Sequence, residues 1–537
     1  QQSTKTFISQ SFDDGSINIQ IQVPSIQTFM SRRLSLKARF RLTFTGTSAG
    51  PGIALLQAPG IRHAVGVDPG TQYLDAPRCT PLAQVIRSCT VQMGNMSFST
   101  NLSSYVRILQ RYQRQYTDNQ EINGLSGSPT VPDASQNYDD LVGFNRNPLA
   151  SWKDVPQGVQ EPRGSFLGAF LVQNDSTGNP GDIAVVDIEM WEPLYLSPFS
   201  FSSDQEQLDI VGVQNVEIQL QLAGRGVGAL SGVPSGLWSH APSGSVLTGV
   251  TAQTLGASCE VTFLTPSPLE MPPPSVTYSY FENTLYPTNN LAPIIDNTST
   301  QLVQNTVQLN SIPNRMYIFV SEVDRSFDIT KTDTFFRIDG ISLTFMNGDA
   351  KLANLSGHQL WLMSVKNGYN GSWDDWSRHT GSVLAIQFGE DVSMTATQAP
   401  GVRVAATMSM QINCHNIMGR DVVPTLNVLV IQEGIVVIRS GTVSKAVGIL
   451  TEQDVLDART STRAVFQRSK NIFGSGFFDK IGSFLKKGLK IGVDIGKQFA
   501  PILPPQAKAA LAIGEQISSA LGNGGLSRRQ IQAMLAR

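Results

Sequence analysis

Five histidines, His63, His240, His358, His379 and His415, and four cysteines, Cys79, Cys89, Cys259 and Cys414, have the greatest chemical capacity in this chain. No two histidines stand at a metal-binding spacing, and the cysteines are too sparse for a disulfide scaffold or a zinc site. The thiols are read as free and mostly buried, with a Cys79–Cys89 pairing across neighbouring strands left open. His415 adjoins Cys414 in QINCHN, and ordinary strand packing accounts for the pair. There is no G-x-S-x-G elbow, no glycine-rich phosphate loop and no H-E-x-x-H. Asp374 and Asp375 lie between Trp373 and Trp376 in GYNGSWDDWSRH. Adjacent side chains point apart, so they do not form a two-carboxylate catalytic pair. The segment reads as an aromatic loop at a sandwich edge or subunit contact, with sugar recognition as the alternative. Asp13 and Asp14 read as turn residues. No catalytic residue, cofactor or metal is assigned, and the chain is read as a non-enzyme.

The sharper signal is physical. In FFDKIGSFLKKGLKIGVDIGKQF, Phe477, Ile481, Phe484, Leu485, Ile491, Ile495 and Phe499 recur at helical spacing, while Lys480, Lys486, Lys487, Lys490 and Lys497 supply a basic side. That composition suits an interfacial helix attracted to anionic lipid. It equally suits a helix docked on a partner or on the inside of an assembly. Contact with packaged nucleic acid is the weakest of the three readings, because aromatics and arginines are few. Gly482, Gly488, Gly492 and Gly496 weaken the helix. After the break APILPP, QAKAALAIGEQISSALG reads as a second helical stretch.

These groups must be carried by something, and composition says what. The chain has 537 residues, 41% hydrophobic and only 15% charged, which excludes a disordered or solvating polypeptide. Its net charge of -2 is uneven. Residues 470–537 hold ten Lys/Arg against three acids, so a +7 tail is joined to a -9 body. Such a body is not built for non-specific phosphate binding. No apolar run is long enough to span a bilayer, and the opening QQSTKTFISQ reads as neither a signal peptide nor a membrane segment. Asn-x-Ser/Thr triplets at Asn95, Asn101, Asn174, Asn297, Asn354 and Asn370 are weak glycosylation signals in so Asn/Ser/Thr-rich a chain.

The body reads as β. LSLKARFRLTF alternates Leu34, Leu36, Ala38, Phe40, Leu42 and Phe44 with Ser35, Lys37, Arg39, Arg41 and Thr43, the two-residue period of a strand with one wet face. VIRSCTVQM, GDIAVVDIEM, NVEIQLQL and SCEVTFL follow in the first half. NTVQLNSIPNRMYIFV, FFRIDGISLTF, HQLWLMSVKN, GSVLAIQFG, MSMQIN and TLNVLVIQEGIVVI follow in the second. One helix is expected within Ser104–Gln120, capped by Ser103 or Ser104, and a surface loop within Ser126–Pro162. The five prolines of TPSPLEMPPPSVTYSY mark an extended connection. The expected fold is mainly β: two tandem jelly-roll β-sandwiches with a C-terminal amphipathic helical tail. The expected divisions are a first roll over 1–264, a Pro-rich linker over 265–280, a second roll over 281–460 and a basic tail over 461–537. Immunoglobulin-like modules are the alternative, but the excursions at 46–85 and 110–180 are long for them.

Four phrases, RRLSLKARFRLTFTG, DIEMWEPLYLSPFSF, TDTFFRIDGISLTF and LWLMSVKNGYNGSWDDWS, resemble the double jelly-roll major capsid proteins of icosahedral DNA viruses, including virophages and Polinton-like viruses. The resemblance spans roughly residues 10–455. It implies a structural virion protein that forms trimers of six vertical rolls, pseudo-hexagonal in outline, within an icosahedral shell. Implied partners are further copies of the chain, minor capsid or penton proteins, and a lipid membrane met by the tail, with direct genome contact left open. The tail departs from the compact family plan and looks like the lytic or scaffolding segments of other non-enveloped capsids. Two alternatives stand beside this reading. One is an RNA-virus-type coat with shell and projecting domains, and the other is a glycan-binding or glycan-processing β-sandwich protein.

Overall fold

A computed structural model describes, apart from short gaps and single positions, residues 6–7, 15–56, 75–77, 81–112, 166–199, 209–222, 237–266 and 275–455. Within them lie two antiparallel sandwiches. In the first, one sheet runs in the order β1 (Thr6–Phe7), β2 (Ser16–Gln22), β10 (Asn215–Leu222), β6 (Ile86–Met93) and β7 (Met96–Thr100). The other runs β12 (Val246–Glu260), β4 (Ser35–Thr47), β9 (Asp182–Pro193) and β8 (Phe166–Asn174). Two short pairs flank them, β3 (Phe29–Met30) with β13 (Phe263–Leu264) and β5 (Asp75–Pro77) with β11 (Trp238–His240). In the second sandwich, β14 (Ser275–Asn289), β20 (Pro424–Arg439), β16 (Arg315–Glu322) and β18 (Leu384–Gln387) form one sheet, with β21 (Thr442–Val447) folded back on β20. The other sheet is β15 (Ser299–Leu309), β19 (Ala406–His415) and β17 (Arg337–Phe345). Pairing the first long strand with the last, and the last with the third, is the interleaving of a jelly roll.

The alternation read in LSLKARFRLTF is realised in β4, where Leu36, Ala38, Phe40, Leu42 and Phe44 are buried. Its other face is less open to water than the period implies. Arg39 Nη2 and Arg41 Nε reach the Asp187 carboxylate of β9 at 2.8 and 2.7 Å, and Lys37 reaches Glu189 at 2.7 Å. Burial works against the Asp187 charge, but the hydrogen bonds and charges of Arg41 and Arg39 outweigh it and hold the carboxyl below its usual range.

Three local readings need correction. HQLWLMSVK is a helix, α3 (Gly357–Lys366), because Ser356 and Gln359 form a reciprocal capping box that nucleates it. The expected Ser104–Gln120 helix begins at Leu102, as α2 (Leu102–Tyr112), so Ser103 and Ser104 lie in its first turn. Asn101 precedes it and accepts from Ser103 Oγ at 3.0 Å; the segment beyond Tyr112 lies outside the described residues. Part of the 110–180 excursion is β8, paired with β9 and interrupted by irregularities at Phe166/Gly168 and Leu171/Gln173 that erase any clean alternation. In addition, β14 opens at Ser275, so the last residues of the Pro-rich stretch already belong to the second sandwich.

Candidate assembly surfaces

The two rolls meet along a seam built chiefly on α2. Leu102, Val106 and Ile108 turn into the core, while a short helix α1 (Pro81–Val85) packs beside it. The residues that a lone amphipathic helix would present to water are here placed against the second roll. Arg111 donates from Nη1 to the Gly381 carbonyl at 2.8 Å and from Nη2 to that of Thr380 at 2.9 Å. Its guanidinium lies 4.5 Å from the Phe335 ring centroid, and that of Arg107 lies 5.3 Å from the same centroid. Gly381 is fixed in this role, since it has φ of +77° and a Cβ there would collide with the Phe335 carbonyl.

Tyr112 closes the helix end. Its ring stands 4.8 Å from Tyr317 of β16 and 5.5 Å from Tyr369, and its hydroxyl donates to the Val383 carbonyl. Burial pushes this phenol well above its ordinary pKa, so it remains a donor. Further along, Tyr278 of β14 donates to the Asp209 carbonyl at 2.8 Å and accepts from Val211 N–H at 3.1 Å, with Arg32 over its ring at 5.5 Å. Asn95, in the β6–β7 turn, accepts from Val443 N–H at 2.8 Å, and Phe98 packs on Tyr280 at 5.5 Å. The two rolls thus use unlike surfaces: helix α2, turns and the short strands β7 and β11 from the first, long sheet strands and a loop from the second.

A buried ionic pair supports one end. His240 Nδ1 and Asp75 Oδ1 are 2.7 Å apart, and Trp238 Nε1 donates to the same oxygen at 3.1 Å. His240 also donates its backbone N–H to Ile329 of the second roll at 2.9 Å. Burial would depress the imidazole, but the charge and hydrogen bond of Asp75 prevail and raise its pKa.

The residues singled out by sequence fare differently. Trp376 is fully buried, whereas Trp373 lies half-buried in a surface cluster with Trp361, 6.0 Å away, and His358, 5.1 Å from each. Asp375 accepts from Ser372, and Asp374 faces Arg378 at 3.7 Å, so the adjacent carboxylates do point to different partners. His415 bonds Ser299 and Asn297 at 2.9 and 3.0 Å, while Cys414 points inward. Cys89, Cys259 and Cys414 are free and buried, and burial lifts the thiols of the last two to about 12. Cys79, Asp13, Asp14 and the whole tail, including Phe477, Ile481, Phe484, Leu485, Ile491, Ile495, Phe499 and the lysines between them, lie outside the described residues. Among the described residues no group of three His, Cys, Asp or Glu is placed to hold a metal, and no helix is long and apolar enough to cross a membrane. Sequence reasoning missed the seam itself, because Arg107 and Arg111 look like ordinary polar-face residues until their partners, more than 200 residues away, are brought beside them.

Comparison with known proteins agrees with this architecture. Residues 1–228 match the family described as Sputnik virophage major capsid protein 1st domain, and residues 281–434 match the Major capsid protein V20 C-terminal domain. Capsid protein V20 of Sputnik virophage is 27% identical, over 90% of this chain and 81% of its own length. A chain in the cryo-EM structure of the Sputnik virophage superposes with a TM-score of 0.72 at 22% identity, covering 88% of this chain and 94% of that one. The crystal structure of the mavirus major capsid protein gives 0.66 at 13% identity, covering 85% and 91%. The two matched domains are the two sandwiches that α2 holds together, and the chain belongs to the double jelly-roll major capsid proteins of Sputnik-like virophages.

Proposed function

We propose that three copies of this chain close into a six-roll, pseudo-hexagonal capsomer, and that capsomers tile an icosahedral shell. The observation that carries the reading is the seam between unlike faces. An interface of that kind leaves one further face on each roll, and repeating it between chains generates a ring if the rotation closes. Family membership supplies the expectation that it does close. Minor capsid or penton proteins would then occupy the vertices and gaps that the trimers leave. The chain divides for this purpose into a first roll over 1–264, a Pro-rich connection from 265 that gives way to β14 at Ser275, a second roll to 460 and a tail over 461–537. Negative-stain images of the purified protein should show three-fold particles with a hexagonal outline; a field of single elongated particles would refute the proposal.

The basic tail is assigned to the inside of the shell, where Phe477, Ile481, Phe484, Leu485, Ile491, Ile495 and Phe499 would enter a lipid interface or dock on protein, with Lys480, Lys486, Lys487, Lys490 and Lys497 toward anionic headgroups. A peptide spanning Phe473 to Phe499 should become helical on anionic liposomes and release trapped dye. If no leakage occurs over a broad concentration range, docking is the role that remains.

A further inference from the structure

Each roll carries a helix at the same end of its sheet. In the first, α2 follows β7, the strand that flanks β6, and packs beside β6. In the second, α3 packs beside β18, the strand that flanks β16. Ser364 Oγ of α3 accepts from Ala385 N–H at 3.2 Å, and Asn367 Nδ2 donates to the Ala385 carbonyl at 2.9 Å. Leu360 and Ser364 turn inward. On another side of the helix His358, Trp361, Leu362 and Val365 stand three and four residues apart, with Leu362 48% and Val365 40% exposed. Trp373 extends this stripe, and Trp361 is held in it by donating from Nε1 to the Gly371 carbonyl at 3.3 Å. Two indoles, a leucine and a valine side by side exceed the scattered apolar residues of an ordinary surface.

The equivalent helix shows what such a position is for. From the end of its own roll α2 reaches the next one and places Tyr112 on the outer side of β16. In a ring of rolls that step repeats, and from the second roll it leads to the first roll of another copy. α3 is continuous with the existing seam, since Tyr369, just past its C-terminus, stands 5.5 Å from Tyr112. The surface equivalent to the outer side of β16 is the outer side of β6 and β10. It is unlike the first roll's other outer face, where Lys37, Arg39 and Arg41 of β4 meet Asp187 and Glu189 in a charged ladder. Strands β2, β10, β6 and β7 together hold two charged residues, Arg87 and Glu217. Gln92, Gln219 and Gln221 are exposed there, Gln219 donates to Glu217 at 2.8 Å and Thr90 to Ser99 at 3.0 Å. Such a face desolvates at small cost, because its polar groups bond one another and few charges leave water. Tryptophan set against a charge-poor surface is the composition of an interface core.

We propose that the α3 stripe of one copy docks on the outer side of β6 and β10 in a second copy, so that α2 and α3 alternate as the helices joining successive rolls. The proposal rests on the trimeric reading above and names the surfaces that close the ring. Cysteine cross-linking of the full chain tests it, because Cys89, Cys259 and Cys414 are buried. Two surface variants, V365C and Q219C, each with C79S, are co-expressed under distinguishable tags and treated with a short and a long bismaleimide. A covalent pair of one V365C chain and one Q219C chain should form about tenfold above any pair in either variant alone, since the interface joins unlike faces. A trimer in sedimentation velocity that gives no such mixed pair overturns the docking and leaves the trimer standing. A V365C/Q219C double variant that links solely within one chain also overturns it, and assigns the stripe to the chain's own loops. Chains that stay single at every concentration refute the trimeric reading itself, and the docking with it.

Discussion

The corresponding core strands of the two rolls, β6 and β10 in the first and β16 and β20 in the second, have the same pairing and opposite surroundings. In the first, Val216, Ile218, Leu220 and Leu222 of β10 are buried and the intervening Asn215, Gln219 and Gln221 are exposed. In the second, seven successive residues from Met316 to Glu322 are buried, as are seven from Pro424 to Val430. The outer side of β16 is covered, by Tyr112 of α2 on Tyr317 and by the second roll's own Phe335 on Phe319, while the first roll's equivalent sheet keeps one side open. A strand buried on both faces reads as a continuous apolar run, one buried on a single face as an alternation. Through Tyr112, part of the second roll's stability comes from the first.

The largest effect should come from removing the helix's anchor. Tyr112→Ala opens a cavity among Tyr317, Tyr369 and Val383 and should cost about 4 kcal/mol in a denaturant titration. Gln20→Ala, on the open face of β2, should change stability by about 0.5 kcal/mol or less. Equal losses would abolish the contrast.

Next comes the ionic support. His240→Ala removes the cationic partner of the buried Asp75 carboxylate, leaving the Trp238 N–H on it, and should cost about 3 kcal/mol. Because the folded imidazole titrates above its ordinary value near 6.5, the wild-type pair stabilises fully below that pH and loses its contribution as pH rises through the raised value. Thermal melts between pH 6 and 9 should show the decline in the wild type and not in His240→Ala.

Smaller still is the β4–β9 charge ladder. Arg39 is half exposed, so Arg39→Ala should cost about 0.5 kcal/mol, and the effect should shrink in high salt. The last effect appears only in acid. Hydrogen bonds from Ser48 and Thr177 hold Asp182 at about 2, so its contribution is intact above the ordinary carboxyl range and disappears as pH falls through that value. Asp182→Asn should flatten this part of an acid titration followed by tryptophan fluorescence.

Sequence was informative wherever one physical cause dominated a segment. The β4 alternation and the apolar runs of β16 and β20 are each set by their own burial, and both were legible. Where two causes competed, the reading slipped. HQLWLMSVK has strand-like apolar content, yet the Ser356–Gln359 capping box makes it α3, and that pair was visible three residues apart. The β8 strand concealed its period behind two irregularities. The seam was out of reach for a different reason. Nothing near Arg111 announces Thr380 and Gly381, because that partnership exists only once both rolls are built, and nothing near Asp75 announces His240, 165 residues away, until β5 and β11 pair within the first roll.

The central claim is that the faces left over after α2 joins the two rolls are used between copies. Sedimentation velocity of the purified full-length protein over a hundredfold range of concentration tests it most directly. The account predicts a trimer that persists on dilution, with larger shell assemblies appearing above it. A single species at the mass of one 58.2 kDa chain, even at the highest concentration, would contradict it.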